Sequence, residues 1–269
     1  MVRRAQLTIL LGVLLAGVGS GGVAGVQQRA TPPKPAHDTK LYKYQILSSY
    51  HHDPEAFTQG LVYHDGYLYE STGLHGKSSL RKVELTTGKV LKKVDLEPKY
   101  FGEGLTIFRD RIYQLTWLSG TGFIYDLHLD RVGEFHYEGE GWGLTHDSRY
   151  LILSDGSNRL KFLDPKDFKV ARSIEVFYRG QPLSALNELE YINGQIYSNL
   201  WHKDLIARID PATGNLLGMI DLSGLGSALK LGSEDVLNGI AYVPGGEWLL
   251  VTGKRWPTLF KIRAVPLGE

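Results

Sequence analysis

The chain has 269 residues, 42% hydrophobic and 22% charged, with 32 glycines and 15 tyrosines, a composition that leans towards one large all-β domain or two ordinary domains. A formal net charge of +1 leaves no basic excess to neutralise phosphates and argues against nucleic acid as a partner. With no cysteine, disulfides, thiolate metal sites and cysteine nucleophiles are excluded.

Residues 1–26 have the layout of an export signal. Arg3 and Arg4 precede an apolar run over residues 7–18, and the small residues Gly19-Ser20-Gly21-Gly22-Val23-Ala24-Gly25 follow. The alternative, an uncleaved anchor, suits the run less well because it is short and broken by glycine. The expectation is cleavage, export to the periplasm or the medium, bacterial origin, and no stable membrane association afterwards. Residues 27–40 contain Pro32-Pro33-Lys34-Pro35 and read as an extended linker. Residues 41–47 alternate, with Tyr42, Tyr44 and Ile46 on one side, and predict a strand.

From there the chain repeats. The frames are Thr58-Gln59-Gly60-Leu61, Gly102-Glu103-Gly104-Leu105, Gly141-Trp142-Gly143-Leu144, Leu186-Asn187-Glu188-Leu189 and Leu237-Asn238-Gly239-Ile240. Their Leu/Ile markers are spaced by 44, 39, 45 and 51 residues. Each frame runs into a turn, such as Asp65-Gly66 or Asn193-Gly194, and then into a second strand. Third strands are predicted at residues 79–85 and 205–209, with second turns at Thr86-Thr87-Gly88, Asp164-Pro165 and Asp210-Pro211. Four strands at a period of roughly forty residues predict propeller blades. Five frames predict an all-β, five-bladed β-propeller over residues 41–266. The last unit has three strands of its own, and the strand at 41–47 completes it, closing the ring. Two stacked β-sandwiches would not produce five matched frames.

In a propeller the first strand of each blade lines the central channel. The residues leading into those strands therefore ring one mouth: Gln59, Glu103, Trp142, Asn187 and Asn238. Loops after the second strands open on the same face and begin with Gly73, Trp117, Gly156, Trp201 and Lys254. The long connection at 223–236 also emerges there, as a lid or as a mere insertion. Taken singly, these residues are ordinary: a solvated glutamate, turn asparagines, packing tryptophans, a surface lysine. Their convergence on one mouth points to a small-molecule site. No histidine grouping has metal-ligand spacing, and His51 and His52 read as surface polar residues. One carboxylate among amides and indoles suits acid/base chemistry on a small polar substrate, with Glu103 as the acid/base. A non-catalytic propeller that binds a peptide or ligand is the alternative. A glycosidase is less favoured, because the ring supplies one carboxylate where two are needed.

The stretches Phe57-Thr58-Gln59-Gly60, Phe101-Gly102-Glu103-Gly104-Leu105-Thr106, Gly141-Trp142-Gly143-Leu144, Leu186-Asn187-Glu188-Leu189-Glu190-Tyr191, Asn199-Leu200-Trp201 and Leu237-Asn238-Gly239-Ile240-Ala241 resemble the plant and bacterial glutaminyl-peptide cyclotransferases. The resemblance runs through everything after the linker. It implies a five-bladed propeller that converts the N-terminal glutamine of peptides or proteins to pyroglutamate with release of ammonia. It also implies no cofactor and no catalytic metal, and the protein is expected to be a monomer. By resemblance Glu103 is the catalytic residue. Phe57, Gln59, Phe101, Trp117, Trp142, Asn187, Trp201 and Lys254 form the substrate pocket. Asn187, a tryptophan N–H or Lys254 would steady the oxyanion. Glu70, Glu188 and Asn238 are expected in supporting roles, Glu188 by holding Lys254 or Asn187 and Glu70 by facing the mouth or pairing structurally.

Overall fold

The structure, a computed structural model, describes residues 39–268. The expected export signal and residues 27–38 of the linker lie outside the described residues. All regular structure among the described residues is strand. Strand β1 (Lys40–His51) is followed by three antiparallel sheets of four strands, each in chain order. The first comprises β2 (Thr58–His64), β3 (Tyr67–Thr72), β4 (Ser79–Glu84) and β5 (Val90–Asp95). The second comprises β6 (Gly102–Phe108), β7 (Arg111–Thr116), β8 (Thr121–Tyr125) and β9 (Arg131–His136). The third comprises β10 (Leu144–His146), β11 (Leu151–Ser154), β12 (Arg159–Leu163) and β13 (Val170–Glu175).

A small hairpin, β14 (Phe177–Tyr178) and β15 (Gln181–Pro182), precedes the remaining strands. These are β16 (Leu186–Ile192), β17 (Gln195–Leu200), β18 (Leu205–Ile209), β19 (Leu216–Asp221), β20 (Leu237–Tyr242), β21 (Leu249–Gly253) and β22 (Thr258–Pro266). With β1 they form an eight-stranded sheet in the order β16-β17-β18-β19-β1-β22-β21-β20. β1 runs antiparallel to β22 from Tyr42 opposite Pro266 to His51 opposite Thr258. Only Lys40, Leu41 and Tyr42 meet β19, in parallel. The N-terminal strand therefore supplies the fourth strand beside β22, over a longer span than 41–47. The parallel seam to β19, unforeseen from the sequence, joins two four-stranded runs into one sheet.

The turns follow from their residues. Asp65-Gly66 and Asn193-Gly194 have positive φ at both positions (46° and 86°, 48° and 82°), the hairpin geometry that matches strand twist. The marker residues of the repeat are the core: Leu61, Leu105, Leu144, Leu189 and Ile240 are each at most 1% exposed. Burying one such side chain stabilises the fold by about 2 kcal/mol. The first strands abut in the cyclic order β2, β6, β10, β16, β20 and back to β2, a propeller-like arrangement.

The glycines beside the first three markers let neighbouring first strands approach closely. A Cβ at Gly60 would lie 2.6 Å from the Leu105 nitrogen, and one at Gly104 would lie 2.6 Å from the Leu144 nitrogen. A Cβ at Gly143 would fall inside the Asn187 carbonyl. Backbone approaches backbone directly, and only glycine allows it. Gly143→Ala is therefore expected to destabilise by about 3 kcal/mol, since rigid backbone cannot give way. Gly133→Ala is the control, because its Cβ would meet Ile124 at an ordinary 3.6 Å. Urea denaturation of both variants checks this, and equal stabilities would contradict the close-approach reading.

Candidate active site

The predicted ring residues sit where the first strands slip register. The irregularities fall between Thr58 and Gly60, Gly102 and Leu105, Leu186 and Leu189, and Leu237 and Ile240. These bulges hold Gln59, Glu103, Asn187 and Asn238. A bulge turns a side chain out of the alternating pattern, a common device beside functional sites. Three of the four, with Trp142 just ahead of β10, line a cavity of about 370 Å³. Phe57, Phe101, Trp117, Trp201 and Lys254 line the same cavity, so every expected pocket residue is brought together. Leu74, Glu234 and Arg255 also line it and were not expected. Each adjoins a stretch already pointed at this mouth, but none occupies a repeated position. The glycines at the loop starts serve the aromatics. A Cβ at Gly73 would overlap the Phe101 ring, and one at Gly156 (φ 78°) would lie 2.7 Å from Trp142.

Glu103 is 5% exposed. Burial holds its carboxyl well above the ordinary carboxylate range; the Lys254 ammonium opposes that rise and the charge of Glu140 adds to it. Gln59 Nε2 donates to Glu103 Oε1 at 2.9 Å. Asn238 does not line the cavity. It stands behind Gln59 and donates from Nδ2 to Gln59 Oε1 (3.2 Å) and to the Thr58 carbonyl (3.0 Å), which sets the orientation of the Gln59 amide. Burial pushes the Lys254 ammonium below the usual lysine range, with Glu103 and Glu234 pulling the other way. Its Nζ lies 4.8 Å from the centre of the Phe57 ring. Asn187 is 3% exposed, and its Oδ1 has no hydrogen-bond partner.

The aromatic wall is ordered by edge-to-face contacts: Phe57 with Phe101 (6.2 Å), Phe101 with Trp117 (5.7 Å) and Trp142 with Trp201 (5.4 Å). The indole N–H groups of Trp117 and Trp142 both donate to Glu140 Oε2, at 2.7 and 2.9 Å. They are committed, which removes these two tryptophans from the expected oxyanion donors and leaves Asn187, Lys254 and the Trp201 indole.

Glu188 and His52 differ from expectation, and of the two roles open to Glu70 the structure shows structural pairing. Glu70 does not line the cavity. It is buried, accepting from Thr58 Oγ1 at 2.7 Å and from His52 Nε2 at 3.0 Å, with Arg81 at 4.0 Å. His52 is accordingly a buried residue. Its Nδ1 lies 2.6 Å from the Trp256 carbonyl, so both ring nitrogens face acceptors and the ring is an imidazolium. Glu188 holds neither Lys254 nor Asn187. Its carboxylate accepts the Ile240 N–H (2.9 Å) and the Leu61 N–H (3.3 Å), so it ties β16 to β20 and β2 where the other frames use glycine. Glu190 accepts the Tyr242 N–H, and burial pushes its pKa up to about 8. The 223–236 connection is pinned. Asp235 accepts from Arg255 Nε at 2.6 Å, and its carbonyl accepts from Trp256 Nε1 at 2.7 Å. Glu234, beside it, lines the cavity. Among the described residues no group of three or more His, Asp or Glu side chains is placed to hold a metal ion.

The chain is similar to known proteins in sequence and in fold. The glutamine cyclotransferase family model matches residues 21–264. A glutaminyl-peptide cyclotransferase of Arabidopsis thaliana is 47% identical over 230 residues, covering 83% of this chain and 72% of that protein. The crystal structure of Myxococcus xanthus glutaminyl cyclase superposes with a TM-score of 0.82 at 39% identity, covering 86% of this chain and all of that one. The fold is of the all-β, propeller-like class. The chain belongs to the glutamine cyclotransferase family.

The His52–Glu70 pair makes stability depend on pH. Burial alone would lower the His52 pKa, but Glu70 raises it above the ordinary 6.5. Burial alone would raise Glu70, but His52 and Arg81 hold it below its ordinary 4.5. The histidine's contribution is complete below 6.5 and is lost as pH rises through its raised folded value. Glu70's contribution is present above 4.5 and is lost as pH falls through its lowered value. In urea titrations His52→Gln should be less stable than wild type near neutrality, with the gap closing at alkaline pH. A gap that stays constant would refute the imidazolium.

Proposed function

We propose that this chain is a glutaminyl-peptide cyclotransferase. It closes the N-terminal glutamine of a peptide or protein into pyroglutamate and releases ammonia, on a five-bladed propeller spanning about residues 41–266. The observation that carries this reading is Glu103, a buried carboxylate with raised proton affinity, beside the unpaired amide of Asn187 in an aromatic cavity.

The α-amine must attack its own γ-carbonyl carbon. Closing a five-membered ring is limited mainly by orientation, which the aromatic walls supply by holding the side chain folded. Attack requires a neutral amine. The amide nitrogen must then gain a proton before it leaves as ammonia. Glu103 takes the proton from the attacking amine and returns it to the departing nitrogen. The C–N bond to the ring forms, the C–NH2 bond breaks, and the carboxylate is regenerated. A carboxyl with an ordinary low pKa would be a poor donor in the second step, so the burial of Glu103 matches it to the shuttle. Gln59, held by Asn238, keeps the carboxylate in place. Lys254, the Trp201 indole N–H or Asn187 Nδ2 stabilises the oxyanion, an effect worth about 3 kcal/mol for a well-placed donor. Lys254 and Glu103 line the same cavity, and no hydrogen bond or ion pair joins them among the described residues. Trp201, 37% exposed at the rim, is where the remaining peptide leaves for solvent. The phenyl and indole faces keep out water, which would otherwise yield glutamate. No step calls on a metal, so prolonged chelation is expected to leave turnover unchanged. On the same reading the mature protein is an exported monomer, which N-terminal sequencing of secreted material and light scattering would check.

The test is incubation with a peptide beginning in glutamine, followed by mass spectrometry and an ammonia assay. The expected result is loss of one ammonia per peptide, with Glu103→Gln slowed by roughly 10²-fold or more. An unchanged peptide, or full activity in Glu103→Gln, would sink the proposal. Lys254→Met is expected to lower kcat by roughly 10²-fold while leaving the fold intact. An unchanged kcat would remove Lys254 from the chemistry.

A further inference from the structure

The aromatic wall has a gap that only a carboxylate spans. Phe57, Phe101 and Trp117 form one arc of touching rings, and Trp142 and Trp201 form another. No ring contact joins Trp117 to Trp142 among the described residues. What joins them is Glu140 Oε2, which accepts both indole N–H groups, at 2.7 and 2.9 Å. Two donors on one carboxylate oxygen make a pair of charge-assisted bonds, stronger and more directional than neutral ones. The backbone around Glu140 is fixed independently of its side chain. Gly141 N donates to the Trp117 carbonyl at 3.0 Å, and Trp142 N donates to the Ser154 carbonyl at 2.9 Å. Gly139 turns the chain at φ 85°, and a Cβ at Gly141 would lie 2.6 Å from the Tyr137 hydroxyl. The loop between β9 and β10 is thus built to present this carboxylate to both indoles at once.

We propose that Glu140 is a positioning residue of this site, a single carboxylate that clamps Trp117 and Trp142 together and so sets the width of the aromatic box that receives the glutamine side chain. The proposal rests on the reading of the cavity as the cyclisation site. Glu140 does not line the cavity and touches no reacting atom; it acts through the two indoles. A surface carboxylate paired by chance would meet one indole, and its removal would change nothing in the cavity.

Its charge has a second effect. Gln59 from β2 is bonded to Glu103, and the charges of Lys254, from the loop after β21, and Glu140, from the loop before β10, act on it through space, while the Tyr137 phenol is bonded to Thr116. Of the two charged ones, Lys254 favours the ionised form of Glu103 and Glu140 disfavours it. Removing the charge of Glu140 therefore makes Glu103 easier to ionise, and the acid limb of kcat/KM moves to lower pH.

The test uses the full chain with Glu140→Ala and Glu140→Gln, read by steady-state kinetics on a peptide beginning in glutamine and by indole N–H resonances in two-dimensional NMR. The resonances are assigned by their loss in Trp117→Phe and Trp142→Phe. In Glu140→Ala both are expected to move upfield and KM to rise roughly tenfold or more, the loss that follows from one hydrogen bond to a charged group. In Glu140→Gln the neutral oxygen still accepts, so most of the KM is restored while the acid limb shifts to lower pH. Unmoved indole resonances, or a KM in Glu140→Ala within twofold of wild type, overturn the clamp. Should Glu140→Ala fail to fold, the indole resonances of Glu140→Gln decide: an upfield shift supports the clamp and unchanged positions overturn it. Full turnover in Glu103→Gln would refute the reading of the cavity itself, and it would leave the indole result untouched.

Discussion

Direct contact between the backbones of neighbouring first strands is the constraint on which the rest of this molecule depends. Gly60, Gly104 and Gly143 each give up a side chain so that β2, β6, β10 and β16 can press together. The Gly104 N–H even donates to the Trp142 carbonyl at 2.7 Å, a backbone bond between neighbouring sheets. A ring this tight leaves its inward N–H groups short of acceptors, and buried N–H groups must be paired. Glu188 answers that need by spanning from β16 to both β20 and β2. Its position in the glycine slot of the fourth frame is a structural substitution: a carboxylate replaces close contact with two hydrogen bonds.

The radius set by that contact decides what can meet at the mouth. Gln59, Glu103 and Asn187 come from strands far apart in sequence, yet share one cavity because their strands touch just below them. The polar groups there are unevenly committed. Asn238, Gln59 and Glu103 form a chain of hydrogen bonds that fixes the carboxylate. Asn187 Oδ1 is bonded to nothing, at a cost of about 1–3 kcal/mol for a buried polar atom. Rigidity around the acid/base and unsatisfied capacity beside it are what a site needs if binding is to drive orientation.

How much of this the sequence shows depends on whether a feature repeats. Gln59, Glu103, Trp142, Asn187 and Asn238 stand out because each occupies the same slot of a recurring frame. Strand pairing, the completing role of β1 and the placing of Lys254 follow from that register. Glu140 is not repeated, and its partners are indole N–H groups whose direction only the fold reveals. His52 reads as a surface residue because Glu70, which keeps it charged and buried, is 18 positions away and outside any motif. Glu188 stood out as an exception to the glycine slot, but its acceptor role involves backbone N–H groups, which no residue type advertises. The bulges that aim Gln59 and Glu103 are likewise invisible, since they arise from how two strands pair and not from either strand alone.

The pairing of β1 with β22 reaches beyond architecture into the history of each molecule. The first described strand to leave the ribosome finds its long antiparallel partner only when the last one, Thr258–Pro266, has been made. Until then the chain is an open arc whose outer edge is unpaired, the kind of edge that invites pairing with another copy. Loop closure over more than two hundred residues also comes late in folding, after the local hairpins have formed. Every molecule therefore passes through a stage in which its sheets are formed but its ring is not sealed. Crowding or chaperone capture would act at that stage, and truncation near the C-terminus would leave the ring unsealed.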